Sequence, residues 1–428
     1  MDNLLTNFEI ISKEAWKEQI QKDLKGTRFE DLQSQDRNKC NINPFYTKED
    51  LPSSIEALFS HSDWQISTQI SVKKGKEKSA NAQALEELKN GVQSIEWIIS
   101  EKLDWQVLFQ DIQLDIIQTF IRIENSSITI KEDIDKYWDT YYAGKSKEDF
   151  IEILYDPIQN TILFDIDSIN TKDTLYIQGH DYSHLGLNTS EQIAYILGNL
   201  QEQLHLRKEA GALERTKNIY ISYANGLQFF EEISKNRALY QLVSLILKKY
   251  ELEIPFYFLA ETALYYLTAE DSPNNILRNT IAGLSAVLGG CHTLYIHPHK
   301  SELFQKEIDA RRIARNQQHL FKEESYFHKI ADAAHGSYTI ERRTSEIAEK
   351  AWELFLTIEE NGGILKDKNN FIEKVQVAQK ELLEASENGS WTLIGYNKHL
   401  LEEEAILPVF ENKQFANNLQ YLQLPLKK

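Results

Sequence analysis

From residue 64 onward, short runs of β-branched and aromatic residues alternate with stretches in which apolar side chains recur every three or four positions. The first pattern has the period of a strand and the second that of an amphipathic helix. Strands are predicted at 64–70, 94–99, 127–130, 174–178, 218–222, 254–258, 293–296 and 337–340, with helical runs at Ser190–Leu206, Gly226–Lys249 and Asn274–Leu288. Strands that alternate with helices give a parallel sheet, and eight of them predict a closed barrel. The pattern is weakest over 100–165, where Tyr137–Gly144 and Ile162–Ile166 read as insertions.

Past the seventh run, Ala310, Ile313, Leu320 and Phe321 form one apolar stripe, with Arg311, Arg312 and Arg315 off it. The glycine in Asp332-Ala-Ala-His-Gly336 predicts a turn into a strand at Ser337-Tyr-Thr-Ile340. Thr344 and Ser345 then cap a helix with Glu346 in its first turn, a face of Ile347, Ala351, Trp352 and Phe355, and Gly362-Gly363 at its end. The unit reads as helix, strand, helix.

Residues 1–60 hold one amphipathic stretch (Trp16, Ile20, Leu24) and a loop-prone section with Asn41, Asn43 and Pro44. This is too little apolar material to fold alone, so it is expected to lie as an arm on its own barrel or on a partner. The expected division is an arm over 1–60, a barrel over 61–365 and a short helical C-terminal extension over 366–428, with moderately apolar blocks at Ala405–Phe410 and Leu419–Leu426.

Charge narrows the function classes. The 65 acidic and 47 basic side chains leave a net charge of −18, which opposes loose binding to nucleic acid or an anionic membrane. Two cysteines, Cys40 and Cys291, make neither a disulfide framework nor a CxxC metal pattern. The amino terminus lacks a basic, then apolar, leader and no run reaches the roughly 18 apolar residues of a membrane span, so a cytoplasmic protein is expected.

In an α/β barrel, chemistry sits at the C-terminal ends of strands. His180, Asp181, Tyr182 and His184 follow the run at 174–178, and a His and an Asp there can serve as acid and base; the alternative is a polar loop turning at Gly186. His292, His297 and His299 form a second cluster. His297-Pro-His299 has the alternate spacing of a metal-ligand pair, but Pro298 breaks the strand, no second histidine pair with an acidic partner is evident, and no metal site is assigned. Arg311, Arg312 and Arg315 either hold phosphate or pair with Glu307 and Asp309 one turn earlier; surface pairing is favoured. There is no Walker A lysine, no GxGxxG after a strand and no GxSxG elbow.

Several of these segments together carry a resemblance. Arg312-Ile-Ala-Arg-Asn316, Gln318, Glu323-Glu-Ser325, Gly336-Ser-Tyr338 with Glu341, Ala348-Glu-Lys-Ala-Trp352, Phe229 to Ala238, Asn274 to Arg278 and Ala286 to Gly290 are similar, in colinear order, to methylmalonyl-CoA mutases. Trp16, Asp23-Leu-Lys-Gly26 and Asn43 to Asp50 resemble that family's small, non-catalytic subunit. The resemblance implies a TIM barrel and a heterodimer whose large catalytic subunit binds adenosylcobalamin and acyl-CoA. It also implies no cofactor on this chain and only vestigial site residues here, with Asp181, Tyr182 and His184 as the candidates. Aligned on Gly179 and Gly186, catalytic subunits have a histidine at Asp181, and a carboxylate there would repel the negative charge that develops on a thioester oxygen. Their Arg-Gln-Tyr-Ala-Gly run has its nearest match at Ser67-Thr-Gln-Ile70, with neither the arginine nor the tyrosine. The family's cobalt-ligating histidine lies in an Asp-x-His-x-x-Gly motif of a separate C-terminal domain, which the 428 residues are expected to lack. Asp181-Tyr-Ser-His184-Leu-Gly186 is similar to that motif only with its histidine displaced by one residue. The competing expectations are a substrate-binding subunit of a split cobalamin-dependent mutase and a metal-dependent barrel hydrolase.

Overall fold

The computed structural model describes residues 11–26, 28–51, 56–124, 130–147, 150–158, 173–300, 308–400 and 419–425. Eight parallel strands form the centre: β1 Gln65–Val72, β2 Ser94–Ile99, β3 Gln118–Ile123, β4 Ile151–Leu154, β5 Thr174–Gln178, β6 Asn218–Asn225, β7 Phe256–Thr262 and β8 Thr293–Tyr295. Their order is β4-β3-β2-β1-β8-β7-β6-β5, a sheet curled until its two edges meet. Side-chain bonds bridge the seam, with Thr174 Oγ1 donating to Glu152 at 2.5 Å and the Gln178 amide to Asp156 at 2.8 Å. The (α/β)8 TIM-barrel expectation holds.

Among the described residues the α-helices of five or more residues are α1 Lys13–Asp23, α2 Glu77–Lys89, α3 Lys131–Tyr141, α4 His180–His184, α5 Thr189–Glu209, α6 Phe229–Lys249, α7 Pro273–Leu288, α8 Ile308–His319, α9 Tyr338–Glu360 and α10 Lys368–Asn388. Alternation along each strand sends Ile95, Trp97, Leu175, Ile177, Ile219 and Ile221 out to the helices and leaves the axis to other residues.

Two predicted strands are replaced. The third is Gln118–Ile123 rather than 127–130; of the latter only Ile130 is described, as the cap residue of α3. The last, at 337–340, is instead the first turn of α9, because Ile340 begins a buried series with Thr344, Ile347, Ala351 and Phe355 at helical spacing. The unit is therefore helix, turn, helix, and Thr344 and Ser345 lie inside α9 rather than capping it. Ile162–Ile166 and Ala405–Phe410 lie outside the described residues.

The arginine helix is structural in the main. Arg315 and Arg311 reach across to Glu87 on α2, and Arg312 pairs with Asp309 at 3.2 Å as expected. Glu307 lies outside the described residues.

Part of the arm is docked on the barrel. Asn38 donates to Thr189 Oγ1 at 2.8 Å and to Glu231 Oε1 at 2.9 Å, and its own Oδ1 accepts from the Ser190 amide, while Asp36 pairs with Arg343 of α9. Phe59 lies against Gly290, whose positive φ and lack of a Cβ permit the contact, since a Cβ would stand 2.7 Å from the ring. By contrast α1 buries no residue and leaves Trp16 and Leu24 exposed.

Glu231 gives this docking a pH dependence. Burial, with Asp36 nearby, pushes its carboxyl up to about 7 from 4.5. A carboxyl whose folded pKa is raised stabilises fully below the unfolded value, and that contribution is lost as pH climbs through the folded one. Stability should therefore fall between about pH 4.5 and 7 by an amount on the order of 3 kcal/mol. Glu231→Gln, which keeps the acceptor oxygen, should flatten this slope in urea titrations across that range; an unchanged slope would assign the dependence elsewhere.

Candidate functional site at the barrel mouth

Gly179 makes the turn out of β5 possible. A Cβ there would stand 2.5 Å from the Ser222 carbonyl and 2.6 Å from Ile196, so only glycine lets the chain pass between β6 and α5. The short helix α4 follows at once. It sends His180, Asp181 and His184 to the axis and Tyr182 and Leu185 into the core.

These side chains join residues of six strands in one network. His180 Nε2 lies 2.7 Å from Arg122 Nη1, and its Nδ1 2.7 Å from Ser222 Oγ, which also accepts from Tyr176. Arg122 pairs with Glu96 at 2.9 Å. Gln69 donates to both Glu96 and Glu261, at 3.0 and 2.7 Å, and so spans the barrel. Glu261 Oε1 meets His184 Nε2 at 2.6 Å and His297 Nε2 at 3.2 Å. Asp181 accepts from Gln178 at 2.6 Å and from the hydroxyl of Tyr421, which enters from the C-terminal segment.

The arrangement fixes protonation. Burial pushes His180 down to about 4, leaving it neutral near pH 7, with Nε2 accepting from the Arg122 guanidinium and Nδ1–H donating to Ser222. Burial works against ionisation of Glu261, but His180, His184 and His297 outweigh it and hold the carboxyl well below the usual range.

His184, Glu261 and His297 bring ligand-type atoms within 4.8 Å of one another, the geometry of a metal site. The surroundings of His184 argue against one. A metal-bound histidine normally donates its other N–H, whereas His184 Nδ1 faces the Leu264 amide, a donor, at 3.3 Å. His184 therefore carries its proton on Nε2 and gives it to Glu261. The trio is accounted for as a hydrogen-bonded group.

Below this polar layer the axis is filled. Phe120, Leu154, Tyr176, Tyr220 and Leu259 are buried together with Tyr257 against them, Tyr220 stacking on Tyr257 at 5.1 Å and meeting Phe120 edge-on at 5.5 Å. Further down, Glu152 holds Asn218 at 3.0 Å and Tyr220 at 3.3 Å. Such a stack closes a barrel to anything threaded along it.

Of the sequence candidates, Asp181 and His184 are in the network, while Tyr182 turns away to pack on Tyr195 and Phe371. His297 joins Glu261, a partner that is not evident in the sequence. His292 instead stacks on His61 at 4.2 Å, and the carbonyl of buried His299 accepts from Asn275. Sequence reasoning misses Glu96, Arg122, Ser222 and Glu261. Their available signal is a polar or ionisable residue at an inward position of an otherwise apolar strand.

A methylmalonyl-CoA mutase family model matches residues 129–424. The chain is 28% identical to the "Methylmalonyl-CoA mutase small subunit" of Porphyromonas gingivalis over 85% of its own length and 65% of that protein's. It is 26% identical to the Rhizobium meliloti methylmalonyl-CoA mutase, covering 72% of this chain and 47% of that one, and 29% identical to the bovine mitochondrial enzyme, covering 55% and 33%. It thus spans less than two thirds of the length of these relatives. Among solved structures, the Stenotrophomonas maltophilia dihydropteroate synthase aligns over 61% of this chain and 93% of that one with 13% identity and a TM-score of 0.33, too distant to bear on function. The family match covers well over half of the sequence and takes in every barrel strand from β4 to β8: this chain belongs to the methylmalonyl-CoA mutase family.

Proposed function

We propose that this chain is the small, non-catalytic subunit of a heterodimeric, adenosylcobalamin-dependent methylmalonyl-CoA mutase of the cytoplasm. A large subunit would hold the cofactor and interconvert (R)-methylmalonyl-CoA and succinyl-CoA; this chain would stabilise it. The observation that carries the reading is the mouth itself: its polar groups bond one another across strands, above an axis filled with aromatic rings. Asp181 adds to it, because its carboxylate is aimed at the mouth, where a thioester oxygen needs a donor.

Among the described residues the mouth does not fit adenosylcobalamin. His184, in the segment similar to the cobalt-ligating motif, has Nε2 bonded to Glu261 and Nδ1 facing the Leu264 amide, so neither ring nitrogen is available to cobalt. The division into arm, barrel and C-terminal extension suits a supporting subunit, since the exposed Trp16 of α1 and Leu24 just after it are apolar surface for a larger partner to cover. Among the described residues no helix is long and apolar enough to cross a membrane.

Titration with succinyl-CoA by calorimetry tests the reading. No saturable heat is expected from this chain alone at concentrations where a catalytic mutase subunit saturates. Stoichiometric binding would instead favour the substrate-binding subunit of a split mutase.

A further inference from the structure

A cleft apart from the mouth lies between α9 and α10, with α5 beneath it. Among the described residues it measures about 490 Å³, and Arg37 and Lys39 of the arm complete its lining. Buried Ala194, Ile358 and Ala378 face it, and Leu354 and Val377 add to its apolar surface. A concave space of this size, mostly apolar with a few placed polar groups, has the character of a small-molecule site.

Asp367 is the buried charge in this lining, at 3% exposure. It stands at the N-cap of α10, yet its side chain makes no capping hydrogen bond. Its Oδ1 accepts instead from Asn361 at 2.9 Å and Asn370 at 2.8 Å. Its Oδ2 meets only the Tyr195 hydroxyl, at 3.4 Å, which is long for a bond between two oxygens. Burial, with Asp367 and Glu191 nearby, pushes the Tyr195 hydroxyl up, so it stays a neutral donor. All three partners are therefore neutral, and among the described residues no cation lies within ion-pair distance of this carboxylate. The other charges of the lining balance, Arg37, Lys39 and Lys374 against Glu191, Glu373 and Glu381. What is left over is one buried negative charge whose Oδ2 lacks a bond of ordinary length.

We infer that this cleft binds a small aliphatic ammonium, with its head on Asp367 Oδ2 and its chain along the apolar lining. A buried carboxylate is costly unless a cation meets it, and an N–H bond from an ammonium is stronger than one from a neutral donor. An alcohol could donate to Oδ2 without neutralising it, and a carboxylate would be repelled. The inference does not rest on the subunit reading, because none of these residues belongs to the network at the barrel mouth.

Saturation-transfer NMR on the full chain tests it, with n-hexylammonium, n-hexanol and hexanoate as probes. The ammonium should bind saturably, the alcohol about tenfold or more weakly, and hexanoate not at all. Asp367→Asn keeps an acceptor for Asn361 and Asn370; it should weaken the ammonium about tenfold and leave the alcohol unchanged. Val377, which is 49% exposed, tolerates a larger side chain, and Val377→Trp should narrow the cleft and weaken both. No saturable binding of the ammonium would overturn the proposal, as would equal binding of the alcohol or full affinity in a folded Asp367→Asn protein. Should Asp367→Asn not fold, Val377→Trp decides: ammonium binding that survives it takes place outside this cleft.

Discussion

Replacing Arg237 by methionine should destabilise the fold by about 3–5 kcal/mol, the range for a buried ion group that loses its cation. Arg237 is 0% exposed on α6; it pairs with Asp332 and, at 2.8 Å, with Glu341. Its guanidinium also lies over the Phe59 ring, 5.9 Å from the centroid. Both carboxylates also accept a backbone hydrogen bond, Asp332 from the Leu58 amide at 2.8 Å and Glu341 from the Gly336 amide at 2.9 Å. One cation thus ties together the end of the arm, the turn before α9 and α9 itself. Methionine fills much of the volume but leaves two buried carboxylates without the guanidinium between them. Adding Asp332→Asn and Glu341→Gln should recover part of the loss, because amides still accept both backbone bonds. Urea denaturation of the single and triple variants checks both statements; a loss under about 1 kcal/mol for the single change would mean that water reaches the group.

This triad also explains part of the family resemblance. Arg237, Gly336 and Glu341 stand in the segments that carry it, and here they meet in one cluster that joins α6 to the turn before α9. Those segments therefore identify the scaffold more than the chemistry.

How much is legible in the sequence follows from the same physics. β2 and β5 are predicted at their observed limits because both are short apolar runs bounded by polar residues. β3 and β4 escape prediction because Arg122 and Glu152 break the apolar pattern, and they do so because they point into the barrel rather than toward the helices. The run at 337–340 misleads in the opposite sense: aromatic and β-branched residues suggest a strand, while the burial period of α9 decides for helix. Asp181 and His184 can be found because they follow one glycine in sequence. Glu96, Arg122 and Glu261 each carry a signal on their own strand but cannot be joined into one site from the sequence, since only closure of the barrel brings them together.

The second large effect concerns activity and is all or none. As the proposed supporting subunit, this chain should contribute no turnover of its own, and its absence should deprive the proposed large subunit of a partner that stabilises it. The decisive measurement is the conversion of methylmalonyl-CoA to succinyl-CoA with added adenosylcobalamin, by this chain alone, by a candidate large subunit alone, and by the two co-purified. A non-catalytic subunit gives no turnover by this chain, turnover only in samples containing the large subunit, and stoichiometric co-elution of the pair. Turnover by this chain supplied with only a separate cobalamin-binding protein would overturn that reading.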